Sequence, residues 1–148
     1  PVENISAKNN SVNSIVNTTT GDIAFIISIR GNKFEKELTQ EHFNEKYLES
    51  DKYPQATFKG RINDSLDWNK DGIYEVTATG IMSIHGIDKT VTEKASIEIK
   101  GKDVHLSGKL LIAIADYKIS IPKLLFQNIA DTINVELKSD YIPYKKKD

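Results

Sequence analysis

The chain has 148 residues with 20 basic and 21 acidic side chains, so its net charge is near zero and it carries no bulk electrostatic footprint for nucleic acid or an anionic membrane. Its 39% hydrophobic and 28% charged content belongs to a soluble folded protein, and a domain of this length buries roughly 70% of the surface that its unfolded chain exposes. There is no cysteine, which removes disulfides, thiolate catalysis and cysteine zinc sites together. No internal repeat or interdomain linker is apparent, and residues 1–148 read as one domain. The chain opens Pro1-Val2-Glu3 without an initiator methionine, which fits either a removed leader or a trimmed chain, and no apolar leader segment or membrane span remains.

Taken in order, residues 2–7 form a strand candidate, and Lys8-Asn9-Asn10-Ser11 is turn chemistry. Residues 12–16 alternate, and Asn17-Thr18-Thr19-Thr20-Gly21 closes the next turn. In residues 22–30, Ile23, Phe25, Ile27 and Ile29 share one face, while Ala24, Ile26 and Ser28 share the other. Thr39 is placed to cap a helix, with Leu38 and Phe43 as a hydrophobic staple and Tyr47 extending the apolar stripe. That helix spans about ten residues and stops near Ser50, ahead of Pro54.

Residues 56–62 form a strand with Phe58 and Ile62 on one face, followed by a polar, turn-rich loop that carries Trp68. Residues 72–84 and 90–99 both alternate at period two, the signature of strands with two different faces. The short joint His85-Gly86-Ile87-Asp88-Lys89 makes them a long antiparallel hairpin with a wide or bulged tip. Gly101-Lys102-Asp103 then turns into residues 104–115, where Val104, Leu106, Gly108, Leu110, Ile112 and Ile114 share a face. Residues 116–131 lose the alternation. Ile133, Val135, Leu137 and Tyr141 mark a final strand that ends at Pro143, and Lys145-Lys146-Lys147 is a solvated tail.

Seven or eight short strands at hairpin-like spacing, with one accessory helix, predict an all-β antiparallel sandwich or barrel. Closure into a barrel removes exposed edges, and eight strands leave room for side chains or one ligand. The expected core is Ile23, Phe25, Ile27, Phe58, Val76, Leu110, Ile112, Val135 and Leu137, and any filled barrel needs such a core whether or not it binds anything. Gly60, Ala78, Gly80, Ala95 and Gly108 are small enough to leave space between opposing walls, or to mark bends.

Chemistry is sparse. The three histidines, His42, His85 and His105, lack metal-ligand spacing. No G-x-S-x-G elbow, phosphate loop or dinucleotide fingerprint occurs, and the carboxylates scatter over exposed faces. The residues therefore make no positive argument for an enzyme, a metal or a cofactor. His42 has a structural reading in the helix's first turn, and His105, opposite Val104 and Leu106, is expected to be exposed. His85 has two readings, pinning the hairpin loop by bonding backbone, or serving as a polar gate at a cavity mouth.

The stretch Gly80-Ile81-Met82-Ser83-Ile84-His85-Gly86-Ile87-Asp88-Lys89-Thr90-Val91 resembles the hairpin signature of the YceI-like family, bacterial lipocalin-like barrels that hold long apolar molecules. His42-Phe43 through Tyr53-Pro54-Gln55-Ala56-Thr57-Phe58-Lys59-Gly60, and Asp116-Tyr117-Lys118-Ile119-Ser120-Ile121-Pro122, are similar to two further stretches of that family. The resemblance implies an exported, periplasmic, non-enzymatic protein: a lipocalin-like barrel of about eight strands binding a polyisoprenoid, quinone or other lipid tail. The lining it implies, combined with the alternation, is Phe25, Ile27, Phe58, Tyr74, Val76, Ala78, Met82, Leu110, Ile112, Leu124, Leu125 and Phe126, with His85 as the candidate polar gate. Polar first strands point to a shortened or closed tunnel. The competing expectation is a filled barrel acting through its surface as an interaction or stress-response module, with outward Ile26, Ile81 and Leu111 as the seam of a homodimer. A third is a hydrolase or isomerase using His85 or His42.

Overall fold

The structure, a computed structural model, describes residues 3–9, 12–34, 42–119 and 129–141. Among the described residues there are nine strands, β1 (Glu3–Asn9), β2 (Val12–Val16), β3 (Asp22–Ser28), β4 (Asn32–Phe34), β5 (Gln55–Ile62), β6 (Gly72–Ile84), β7 (Ile87–Lys100), β8 (Asp103–Ala113) and β9 (Ile129–Tyr141). They form one sheet in the order β2-β3-β5-β6-β7-β8-β9-β1-β4. The all-β, lipocalin-like architecture is the expected one, and several features differ from expectation. β1 runs parallel to β9, from Glu3↔Ile129 to Asn9↔Leu137, so the sheet is not wholly antiparallel. The predicted accessory helix is a six-residue π-helical turn, His42–Tyr47; Leu38 and Thr39 lie outside the described residues, as do the side chains of His42 and Phe43.

The sheet curls because its edge strand returns to β9. The hydroxyl of Ser14 on β2 hydrogen-bonds that of Tyr141 at the end of β9. β4 sits at the other edge, pairing antiparallel with β1 at Ala7↔Phe34, Lys8↔Lys33 and Asn9↔Asn32. Lys8 and Asn9, expected in a turn, belong to β1. The reason is tertiary: the buried Asn9 amide donates to Ser28 O and to Asn32 Oδ1, each at 2.8 Å, so its hydrogen bonds are spent across strands and not on a local turn.

The β6–β7 hairpin is tighter than expected. Ile84 pairs directly with Ile87, and the two loop residues, His85 and Gly86, both have positive φ, of 54° and 75°. Positive φ at both central positions matches the right-handed twist of the flanking strands. Gly86 is needed twice over, because a Cβ there would also meet the Tyr53 ring at 2.9 Å.

Alternation then sorts the faces as expected: Ile23, Phe25, Ile27, Phe58, Val76, Leu110, Val135 and Leu137 are buried, and Ile112 packs against them. Ile26, Ile81 and Leu111 are exposed outside, as are Ile15 and Ile73.

Gly60 and Gly80 do not leave cavity space. They face each other in register between β5 and β6, where the backbones approach closely. A Cβ on Gly80 would lie 2.2 Å from Lys59 O and 2.4 Å from Gly60 Cα. Gly80→Ala should therefore destabilise by about 3 kcal/mol, the upper end of overpacking costs, whereas Gly108→Ala, whose Cβ meets nothing nearer than 3.4 Å, should cost less than about 1 kcal/mol; denaturant titration of the two variants checks the contrast.

His105 on β8 is exposed as expected and faces Asp140 on β9. Its Nδ1–H donates to the Asp140 carboxylate, and this bond holds the imidazole above its ordinary value of 6.5. A raised value means that the pair stabilises the fold below pH 6.5 and that this contribution is lost as pH rises through the folded-state value. An NMR titration should place His105 above 6.5, and Asp140→Asn should bring it back down.

Candidate functional site

The inward faces of the strands converge on an interior that is almost wholly apolar. At its centre Phe25 of β3 and Phe58 of β5, paired in register, stack with ring centroids 5.0 Å apart at 21°. Such a stack contributes roughly 0.5–1.5 kcal/mol beyond its buried area.

Two cavities of about 30 Å³ each remain inside. Phe25, Phe58, Val76 and Ala78 line the first, together with Ile23, Ile62, Ala95 and Leu106. Ile27, Met82 and Ile112 line the second, together with Ile29, Leu48, Ile84 and Val135. Leu110 of β8 lines both. Each is small beside the roughly 150 Å³ apolar cavity that takes up benzene, so neither accepts a lipid tail without side-chain movement.

Eight of the residues singled out in the sequence therefore meet at these cavities: Phe25, Ile27, Phe58, Val76, Ala78, Met82, Leu110 and Ile112. Tyr74 lines neither; it is half-buried, and its hydroxyl donates to Lys70 O at 2.8 Å, tying β6 to the loop before it. Leu124, Leu125 and Phe126 lie outside the described residues.

His85 sits at the hairpin tip with a side chain only 12% exposed. Its Nδ1–H donates to Tyr117 O at 3.0 Å, Nε2 lies 3.3 Å from the Glu49 carboxylate, and its ring meets Tyr53 edge-on at 4.9 Å. The imidazole thus joins the hairpin tip to the turn after the π-helix and to the one-turn 3₁₀ helix Ile114–Tyr117 after β8. Among the described residues, no group of three His, Cys, Asp or Glu is placed to hold a metal ion.

Three polar contributors, Asn32, Glu93 and Lys94, were not singled out from the sequence. Asn32 lines the second cavity, backed by the buried Asn9 and by Asn44, whose Nδ2 donates to Asn32 O at 3.0 Å. Following Gly31, Asn32 reads as a turn residue, and nothing local marks it as interior. Glu93 lines the first cavity. It occupies the inward register of β7 with Ala95, Ile97 and Ile99, and burial holds its carboxyl above the ordinary carboxylate range. That position was legible in the alternation of β7; only its acidic identity argued for an outward face.

Known structures share this architecture. A Campylobacter jejuni YCEI protein, at 17% identity, superposes with a TM-score of 0.72 over 98% of this chain and 88% of its own. Burkholderia cenocepacia BcnA, at 20% identity, gives 0.66 over 85% and 79%. A polyisoprenoid binding domain from Saccharophagus degradans, implicated in plant cell wall breakdown, gives 0.55 at 18% identity over 74% and 65%. At these identities the likeness establishes fold alone. No curated protein matches the chain. The YceI-like domain, however, is matched across residues 2–141, nearly the full length, and the chain belongs to the YceI-like family.

Proposed function

We propose that the protein is a non-enzymatic binding or carrier protein that holds the tail of an apolar ligand, a polyisoprenoid, quinone or other lipid, in the barrel interior. The observation that carries this reading is the pair of apolar cavities inside the barrel, which share Leu110 in their linings. A leucine can change rotamer, and in doing so would join the two spaces. The family membership and the polyisoprenoid-binding neighbour support the same class of ligand. An exported, periplasmic, bacterial setting is proposed with it, on the family likeness alone.

Magnitudes limit what such an interior can hold. Burying about ten methylenes yields about 8 kcal/mol gross at 0.8 kcal/mol each. Immobilising the ligand and moving Leu110 subtract from that, so a short tail binds no tighter than about micromolar. Tight binding needs a longer chain and a wider opening of the interior.

A second reading, a filled barrel that acts through its surface as an interaction or stress-response module, is favoured by the small cavity volumes and by the outward Ile15, Ile73, Ile81 and Leu111, each more than half exposed. Light scattering separates the two, since a monomer at every concentration leaves those side chains without a dimer seam.

The direct test is native mass spectrometry of protein purified from its own host, with solvent extraction of anything that co-travels. A stoichiometric apolar molecule is expected; a bare protein that also refuses Nile red and farnesol would transfer the case to the surface module. Leu110→Ala should merge the cavities and raise Nile red affinity, while lowering stability by about 2–5 kcal/mol as buried leucine truncations do. Ala78→Trp should fill the first cavity and abolish uptake while the variant keeps its native circular dichroism. Undiminished uptake by the tryptophan variant would remove Ala78 from the binding site.

A further inference from the structure

β7 and β8 part company halfway along their length. Their ladder runs from Lys100↔Asp103 only as far as Ala95↔Gly108. Beyond that point, among the described residues, Ile87 to Lys94 of β7 pair with β6 alone, and Lys109 to Ala113 of β8 pair with β9 alone. Among the described residues the barrel wall therefore has a gap here, whose far end is crossed by the 3₁₀ turn carrying buried Tyr117.

The gap separates two spaces that share a border. Outside it lies an open groove of about 760 Å³, and inside it lies the first cavity. Glu93, Lys94 and Ala95 line both. The residues that frame the gap's apex, Ala95 and Gly108, are small.

Glu93 is the unusual member of this border. It is half-buried on the inward face of β7, opposite Ala78, and no hydrogen bond or ion pair to another described residue engages its carboxylate. A carboxyl beside an apolar cavity loses hydration, and its charged form is disfavoured unless a donor arrives. Tyr117 feels it: the phenol is raised first by burial, then by the nearby Asp116 and Glu93 carboxylates.

We propose that the gap between β7 and β8 is the ligand's way into the barrel, and that Glu93 holds the ligand's polar end there, selecting a hydrogen-bond donor such as an alcohol over an anion. This rests on the reading that the interior binds an apolar tail. A donating head group supplies the partner that the carboxyl lacks, while a phosphate or carboxylate meets like charge at the same place. The groove's Lys94, Lys109 and Lys138 are matched in number by Glu75, Glu93 and Glu136, so the groove as a whole carries no net positive charge to reverse that choice. The competing account is that an inward charge simply guards an unpaired strand edge against other chains.

The chain has no cysteine, so Lys94→Cys with Lys109→Cys introduces a single thiol pair, at the first unpaired positions on each side of the gap. Relative to the same variant left unbridged and capped, bridging it with a bis-maleimide should slow both uptake and release of Nile red by about tenfold and change the equilibrium affinity by less than about threefold. The same variant capped with N-ethylmaleimide controls for bulk. Exchange as fast in the bridged protein as in the capped one would place the route elsewhere. For the head group, the wild type should bind farnesol about tenfold more tightly than farnesyl phosphate, and Glu93→Gln should reduce that preference to about threefold or less. A preference unchanged in Glu93→Gln, with new self-association of the variant, would give Glu93 to edge protection. A wild type that takes up neither Nile red nor farnesol overturns the interior-binding reading itself, an outcome distinct from binding without route or head-group dependence.

Discussion

The register of the β6–β7 hairpin is the constraint on which the remainder of the barrel rests. It runs without a slip from Gly72↔Ile99 to Ile84↔Ile87, closed by two left-handed residues. Side chains alternate across a strand, so a shift of one residue would turn Val76, Met82 and Ile84 outward and bring Ile73 and Ile81 into the core. A two-residue turn allows no such shift. Each neighbouring strand inherits its inward face from this pair: β5 through Phe58↔Met82, then β3 through Phe25↔Phe58.

The same hairpin is anchored at its tip. His85 bonds the backbone of Tyr117 and approaches Glu49, while Tyr53 packs against both His85 and Gly86. Three segments distant in sequence are thereby held at one end of the barrel. At that end the wall opens, because β8 leaves β7 after Gly108 and follows β9. A sheet that is curled as well as twisted must release strain somewhere, and an unpaired stretch flanked by Ala95 and Gly108 is a low-cost place for it.

Family membership and interior geometry pull against each other in an informative way. The fold is that of proteins among which a polyisoprenoid-binding domain is known, yet the described interior is largely packed, with Leu110 in the lining of both small cavities. Close packing stabilises an empty barrel, and a cavity large enough for a lipid would cost stability whenever the ligand was absent. The gap beside Glu93 is the part of the wall where movement breaks no β7–β8 hydrogen bonds.

Much of this was legible from residue order. Ile23, Phe25 and Ile27 announce a buried face by period two, and the sequence through His85-Gly86 resembles the family's hairpin signature, so fold class and the inward faces of the longer strands follow from the chain alone, whereas β4 and the start of β9 do not. Other features were not legible. Asn9 looks like a turn residue until Asn32 and Ser28 arrive from across the sheet to take its hydrogen bonds. Gly60 and Gly80 look like space until their backbones are seen to touch. Glu93 falls on the inward face of β7 by alternation, but that it lies against a cavity beside an unpaired stretch of strand is seen only once β8 turns away. Alternation along one strand determines which side a residue faces, because that is a property of the backbone. Which strand lies opposite, how far away the far wall stands, and where two neighbours separate are decided only when the whole sheet closes.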